Sequence, residues 1–159
     1  SMTVVTVSTT LELADAAAAA APNVDVVVMA AAVADYRPES VADKKIKKDV
    51  AGETLDLRLV KNPDILRFLV EARRPGQVVI GFAAETETDE AKLLELGRAK
   101  IARKGSDFLV VNSVGWSDGF ATVRNTVVIL DSAGDIVGGA TGSKASVADR
   151  ILDLLTDST

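Results

Sequence analysis

The sequence contains no cysteine and no histidine among its 159 residues. Within this chain, that excludes a disulfide framework, a thiol nucleophile, a Cys/His zinc site, an imidazole general base and a Ser-His-Asp triad. The groups left for chemistry are carboxylates, lysines, arginines, amides and hydroxyls. These groups suit phosphate chemistry, because positioning and cationic stabilisation then supply most of the catalysis and no protein nucleophile is required.

Several other sequence signals are also missing. Neither G-x-G-x-x-G nor G-x-x-x-x-G-K-[ST] occurs, so neither a dinucleotide fingerprint nor a P-loop is supported, and an NAD-dependent reductase is disfavoured. No apolar run approaches the roughly 20 residues of a membrane span and no signal-peptide pattern is present, so we expect a cytoplasmic protein without a membrane partner. The net charge of −5 argues against nucleic acid as a partner.

What is present indicates one globular domain. A chain of 159 residues with 48% apolar and 26% charged residues can form one substantial core. We assign residues 3–159 to this domain. Ser1 and Met2 resemble a cloning remnant, and we expect the natural chain to start upstream.

Strands and helices alternate along the chain. Short apolar or alternating runs predict strands at 3–7, 25–29, 54–60, 77–82 and 107–112, and an antiparallel hairpin at 121–137. Helical patterns follow at 11–21, from Asn62 as N-cap to about 73, at 90–104 and at 143–155. This order predicts a Rossmann-like, doubly wound α/β fold with a mostly parallel sheet and an antiparallel edge hairpin.

The most informative stretch is 25–48, which starts with three valines that suit a strand buried on both faces. Small residues follow at Met29, Ala30 and Ala31, and then Asp35 and a lysine cluster around Lys45. Open α/β sheets bind ligands at the carboxyl ends of their strands. The small residues at the end of the 25–29 strand and at Gly81 in the 77–82 strand would leave room for a ligand at this edge of the sheet.

The candidate site residues each have a second interpretation. Asp35 either bonds a ligand hydroxyl or caps a turn, and Lys45 either binds phosphate or belongs to a solvated run. Lys100 and Lys104 are one helical turn apart and repel unless an anion lies between them, yet cations in a last turn also complement the helix dipole. Phe82 at a strand end is either core or a platform for a base.

Six blocks together resemble one family. The order and spacing of these blocks resemble those of phosphopantothenate–cysteine ligase, the synthetase half of the bifunctional coenzyme A biosynthesis protein. The blocks are AAAVADYRP, KIKK, LVKNPDIL, GFAAET, a K-x-x-x-K helix end and DFLVVN. The resemblance implies a CTP-dependent reaction in which the pantothenate carboxylate forms an acyl-cytidylate, pyrophosphate leaves, and the amine of cysteine then displaces CMP. It covers nearly the whole chain.

The resemblance also implies specific roles. Lys45 would stabilise the triphosphate during cytidylyl transfer and is the catalytic candidate. The implied nucleotide-binding residues are Met29, Ala30, Ala31, Asp35, Lys45, Pro63, Asp64, Ile65, Leu66, Phe82, Lys100 and Lys104. A divalent cation, Mg²⁺, is expected with the triphosphate, but no metal ligand can be assigned.

The expected partners follow from the same resemblance. They are a second copy of the chain, with 54–60 and 121–137 as interface elements, the substrates 4'-phosphopantothenate and cysteine, and a fused flavin-dependent decarboxylase domain. The family's amino-terminal glycine-rich segment is absent before Thr3. We therefore expect CTP binding and dimerisation with little complete ligase activity. The alternative is a non-catalytic nucleotide-sensing or dimerisation module.

Overall fold

The computed structural model describes residues 2–46, 53–113 and 125–157. Its helices are α1 (Thr10–Ala20), α2 (Ile65–Glu71), α3 (Glu90–Lys104) and α4 (Lys144–Asp157), with a short 3₁₀ turn at Ala21–Asn23. Its strands are β1 (Val26–Met29), β2 (Tyr36–Pro38), β3 (Leu59–Lys61), β4 (Val78–Glu85), β5 (Phe108–Ser113), β6 (Asn125–Asp131) and β7 (Ile136–Gly142). In these described ranges no helix has the length and apolarity needed to cross a membrane.

The main sheet has five strands in the order β1-β4-β5-β6-β7, and β2 and β3 form a separate antiparallel pair. β1 pairs with β4 and β4 with β5 in parallel, whereas β6 is antiparallel to both β5 and β7. Four strands therefore run in one direction and only β6 runs against them. This confirms the predicted mostly parallel α/β sheet with an antiparallel hairpin at its edge.

One face of the sheet is covered by α4. Val147, Ile151 and Leu154 lie one helical turn or so apart, so they share a face of this helix. They pack against the sheet side chains Ile80, Val110, Val127 and Ile129. This apolar layer also holds Phe82 from the end of β4, which brings one candidate site residue into contact with the core.

The opposite face is covered by α3. Leu93 and Ile101 of this helix pack against Ala83, Leu109, Val111 and Leu130 of the sheet. Helices on both faces make the sheet doubly wound, as predicted. Helix α2 packs on this face as well. Its Leu66 side chain lies against Gly81 of β4, in the space where a Cβ of that residue would stand.

Several predicted elements are wrong in extent. Residues 3–7 form no strand, although the capping box that follows is confirmed, with Thr9 and Glu12 bonded reciprocally. Of the 54–60 segment only the end forms β3, since it pairs with β2 over three residues, Leu59 to Lys61. Hairpin residues 121–124 lie outside the described part of the chain.

Two local expectations are also corrected. β1 is not buried on both faces, because Val28 is 46% exposed. In the described part of the sheet it is also an edge strand that pairs with β4 alone. α2 is capped by Asp64, whose side chain accepts a hydrogen bond from the Arg67 N–H, and not by Asn62. Asn62 is unavailable as a cap because its side chain bonds to Ala34 and Arg37.

Candidate functional site

An open cleft of about 700 Å³ lies at the carboxyl ends of β1 and β4. Parallel strands end at the same edge of a sheet, and the pairing of Met29 with Gly81 brings the next residue, Phe82, beside the end of β1. Among the predicted site residues, those that line the cleft are Met29, Ala31, Asp35, Pro63, Asp64, Ile65, Leu66, Phe82, Lys100 and Lys104.

Two predicted site residues do not line this cleft, namely Ala30 and Lys45. Lys45 is exposed in the segment after β2. Its neighbours Lys47 and Lys48 lie outside the described residues. Lys45 and the cleft lining are therefore separate in the described part of the chain, and the role of Lys45 stays a prediction.

Gly81 has a different role from the one predicted for it. A Cβ at this position would lie 2.6 Å from Leu66 Cδ2 and 3.2 Å from Leu109 Cδ1. The space beside Gly81 is therefore filled by helix α2 and not left for a ligand. The predicted small residues that do line the cleft come from Ala31 and its neighbours after β1 and from Ala84 at the end of β4.

The cationic wall of the cleft comes from the last turns of α3. Lys100 and Lys104 each face the cleft, and Arg103 lines it as well. Lys100 Nζ lies 2.5 Å from Glu85 Oε1, and Lys104 Nζ donates a hydrogen bond to Asp64 Oδ2. Because each lysine has a carboxylate partner, its position is set before any ligand arrives.

Asp64 links α2 to α3. Partial burial alone would raise the pKa of its carboxyl group, but the hydrogen bond from Lys104, the Arg67 N–H and the charges of Lys104 and Arg103 together outweigh burial. The pKa of Asp64 therefore lies below its ordinary value. The carboxylate stays ionised at neutral pH and caps α2 while it holds Lys104.

The structure adds lining residues that the sequence patterns did not indicate as site residues, among them Lys61 and Asn62. Asn62 is buried, with 7% of its surface exposed, and it bonds to the loop after β1. The K-N-P-D turn directly after a strand was the one signal for this position. The position of this turn at a strand end points to the site, whereas the asparagine by itself predicts a helix cap.

The cleft does not resemble a protein-held metal centre. Within the described residues, no three acidic, histidine or cysteine side chains cluster in a way that could hold a metal ion. Of the two aspartates that line the cleft, Asp35 and Asp64, the second is engaged by Lys104. The side chains described here therefore do not fit a dedicated Mg²⁺ site.

Fold and site together define a Rossmann-like α/β domain with a polar, partly cationic cleft at the carboxyl ends of its parallel strands. Comparison with known sequences identifies the family. The chain belongs to the family described as the DNA/pantothenate metabolism flavoprotein C-terminal domain, which matches residues 1–158.

The curated relatives are longer than this chain. The coenzyme A biosynthesis bifunctional protein CoaBC of Mycobacterium tuberculosis is 45% identical over 157 residues, covering 96% of this chain and 37% of that protein. The protein of the same name from Vibrio parahaemolyticus is 31% identical over 154 residues, with 96% and 37% covered. The chain therefore spans somewhat more than a third of the length of these relatives.

Solved structures share the fold. The crystal structure of the C-terminal domain of coenzyme A biosynthesis bifunctional protein CoaBC matches with a TM-score of 0.70 and 29% identity, over 95% of this chain and 63% of that one. A Cab2 variant in complex with phosphopantothenate-cysteine matches with a TM-score of 0.62 and 21% identity, over 96% of this chain and 54% of that one. The second likeness concerns the fold alone.

Proposed function

We propose that this chain forms the CTP-binding part of a phosphopantothenate–cysteine ligase in coenzyme A biosynthesis. The observation that carries the proposal is the meeting of four separated segments in one cleft. These are the loop after β1 with Asp35, the start of α2 with Asp64, the end of β4 with Phe82 and the end of α3 with Lys100 and Lys104. The names of the relatives, which are coenzyme A biosynthesis proteins, support the same pathway.

The proposed reaction has two steps. The carboxylate of 4'-phosphopantothenate attacks the α-phosphorus of CTP, a phosphorus–oxygen bond forms, and the bond to pyrophosphate breaks. The amine of cysteine then attacks the acyl carbon of the acyl-cytidylate, an amide forms, CMP leaves, and the amine proton passes to solvent. Neither step needs a protein thiol or imidazole, in agreement with the composition of the chain.

Different cleft residues can bind different parts of CTP. Lys100 and Lys104 present positive charge toward a triphosphate, and Arg103 and Lys61 add to it. Fixed cations of this kind stabilise charge that develops on a phosphoryl group and on its leaving group. We assign Asp35 to a hydroxyl or amino group of the nucleoside, and Phe82 to contact with the base.

Lys45 is assigned to the leaving pyrophosphate. It lies on the exposed segment after β2 and outside the lining of the cleft. Its contribution therefore requires that segment to approach the bound triphosphate. Mg²⁺ would accompany CTP and neutralise part of its charge, held mainly by the phosphates, since this ion commonly binds through one or two carboxylates and substrate phosphates.

The proposal extends to the assembly. We propose a homodimer, with the apolar stripe of 54–60 and the hairpin as interface, and a flavin-dependent decarboxylase domain as a fused neighbour in the parent polypeptide. The bifunctional relatives, which are much longer than this chain, support the fusion.

Titration calorimetry of the 159-residue chain with CTP and with ATP, at fixed Mg²⁺, tests the proposal. We expect CTP to bind at least about tenfold more tightly than ATP. Asp35→Asn and Lys104→Ala should each weaken CTP binding by about tenfold, which corresponds to a loss of roughly 1.4 kcal/mol of binding free energy. Lys92→Ala is the matched control, because Lys92 is an exposed lysine near the other end of the same helix. Equal binding of CTP and ATP, or an equal loss in Lys92→Ala, would contradict the proposal.

One observation favours the second candidate, a non-catalytic nucleotide-binding or dimerisation module. The catalytic candidate Lys45 does not line the cleft. Release of pyrophosphate separates the two functions. As the catalytic part of a ligase, the chain releases pyrophosphate from CTP in the first step when 4'-phosphopantothenate is added, even where amide formation is slow, and Lys45→Ala slows this release. A module binds CTP without releasing pyrophosphate.

A further inference from the structure

Asn62 sits between β3 and α2 and is bonded on three sides. Its side-chain Nδ2 donates to Ala34 O at 2.8 Å, and its Oδ1 accepts from Arg37 Nη1 at 3.1 Å. Its own backbone N–H donates to Asp35 O at 2.8 Å. With 7% of its surface exposed, the amide depends on these partners rather than on water for its hydrogen bonds.

Arg37 adds a fourth bond between the same two segments. Its Nη1 also donates to Lys61 O at 3.0 Å. The segment from Ala34 to Arg37 and the turn before α2 are therefore joined by three side-chain hydrogen bonds and by the backbone bond of Asn62, which continues the β2–β3 pairing. We call the side chains of Arg37 and Asn62, with these bonds, the Arg37–Asn62 clasp.

The clasp joins two walls of the cleft. One bonded segment carries Asp35, and the other leads through Pro63 to Asp64 at the start of α2. Asp64 in turn holds Lys104 of α3. The clasp extends the β2–β3 pairing up to the cleft, and the two together set where Asp35 lies relative to the cationic wall, although the segments are about 25 residues apart in sequence.

We propose that Arg37 and Asn62 are positioning residues for nucleotide binding, which fix Asp35 against the Asp64–Lys104 pair. The inference rests on the proposed function, because it assigns the clasp to a cleft that takes a nucleoside triphosphate. Preorganisation of this kind gains affinity by removing the cost of ordering the site on binding. Loss of the clasp therefore lowers affinity for the nucleotide beyond any loss of fold stability.

The chain supplies a matched control at the amino end of β4, away from the strand ends that form the cleft. Gln77 is also a buried amide, 6% exposed, and its Nε2 donates to the carbonyl oxygens of Ala21 and Val24 at 2.7 Å each. Arg74 donates through one Nη2 to Val24 O at 2.9 Å and to Asp25 Oδ1 at 2.7 Å. Here too a buried amide and an arginine bond to backbone carbonyls away from the cleft lining, and Arg74 in addition forms an ion pair with Asp25.

The experiment compares Asn62→Ala with Gln77→Ala, and Arg37→Lys with Arg74→Lys. Each variant is titrated with CTP below its own melting temperature, and its stability is measured by thermal unfolding. We expect the two members of each pair to lose similar stability. Asn62→Ala should weaken CTP binding by at least about fivefold, the effect of one or two lost hydrogen bonds, while Gln77→Ala binds as the parent chain does.

Arg37→Lys keeps the positive charge but loses the planar donor group that serves Lys61 O and Asn62 Oδ1 together. It should fall between the parent chain and Asn62→Ala in CTP affinity, and it serves as the test if Asn62→Ala does not fold. Unchanged CTP affinity in a folded clasp variant, or an equal loss of affinity in its control, overturns the inference.

The outcomes separate the two proposals. If the parent chain binds no CTP, the proposed function fails and the inference fails with it. If the parent chain binds CTP and the clasp variants bind it equally well, the proposed function stands and only the positioning role is wrong.

Discussion

At the scale of single residues, Asp64 shows how one side chain serves both the fold and the site. Its Oδ1 accepts the N–H of Arg67 at 3.2 Å and caps α2, while Oδ2 accepts from Lys104. The lowered pKa of Asp64 reflects both contacts. A carboxylate in this position ties the start of α2 to the end of α3, and so it fixes two walls of the cleft with one group.

Two substitutions separate these roles. Asp64→Asn keeps an acceptor for the cap but removes the charge, so we expect it to lower the free energy of unfolding by about 0.5 kcal/mol, as for a partly exposed ion pair. Asp64→Ala removes the cap as well and should cost about 1 kcal/mol more. Urea unfolding at pH 7 measures both, and equal stability of the two variants would show that the cap contributes nothing.

The contribution of the Asp64 charge depends on pH in a defined direction. Because the folded-state pKa of Asp64 is lowered, its stabilisation is fully present above the unfolded-state pKa, about 3.9, and is lost as the pH falls through the folded-state value. The difference in unfolding free energy between the parent chain and Asp64→Asn should stay constant from neutral pH to about pH 5 and shrink below about pH 4. A difference that grows on acidification contradicts this assignment.

Sequence patterns identified many residues of the cleft but not their contacts. Asp35, Phe82 and the lysines of α3 are candidates from their places at strand ends or one helical turn apart, each with a second interpretation, and the family resemblance selects them; the structure shows that they line one cleft. Asn62 was assigned to a helix cap, yet it bonds across the fold to Ala34 and Arg37. Such bonds join segments distant in sequence, so no local pattern encodes them.

At the scale of elements, the packing of α2 against β4 determines the shape of the cleft. Leu66 occupies the space beside Gly81, where a Cβ would be 2.6 Å from its Cδ2. Leu66 also lines the cleft, and Ile65 beside it is buried. A change at Gly81 therefore reaches the cleft lining through the position of this helix.

Gly81→Ala should destabilise the chain by about 1–3 kcal/mol, the usual cost of overpacking, and weaken CTP binding by moving α2. Gly138→Ala is the control, because a Cβ there would meet only ordinary contacts, the closest at 3.6 Å from Leu154. Thermal unfolding and CTP titration of both variants check the expectation. It is wrong if Gly81→Ala binds CTP as the parent chain does.

Element boundaries were predictable where the stop signals are local. Helix α3 has its predicted limits, 90–104. In the structure Asp89 caps its start, and Gly105, with φ of 75°, ends it in the left-handed conformation that glycine adopts readily. The segment 3–7 carries a strand pattern but forms no strand. A strand needs a partner, and pairing is a property of the whole sheet rather than of the segment.

At the scale of the whole molecule, an exposed apolar stripe precedes and enters β3. Leu55, Leu57 and Leu59 alternate along the chain and are 54%, 63% and 53% exposed. Three exposed leucines within five residues form an apolar patch, and such a patch is typical of a surface that another chain covers.

If this stripe is the proposed dimer interface, Leu57→Glu should convert the dimer to a monomer. Leu152→Glu is the control, because Leu152 is an exposed leucine of α4, at 52%. It should leave the mass in solution unchanged. Light scattering after size-exclusion chromatography measures both, and a dimer that persists in Leu57→Glu, or a monomeric parent chain, contradicts the assignment.

We propose that CTP occupies the cleft between the ends of β1 and β4 and the last turns of α3. A crystal structure of the chain soaked with CTP and Mg²⁺ shows whether it does. We predict the triphosphate beside Lys100 and Lys104, with the nucleoside between Asp35 and Phe82. Nucleotide density bound elsewhere on the molecule, with this cleft free of it, would contradict the account.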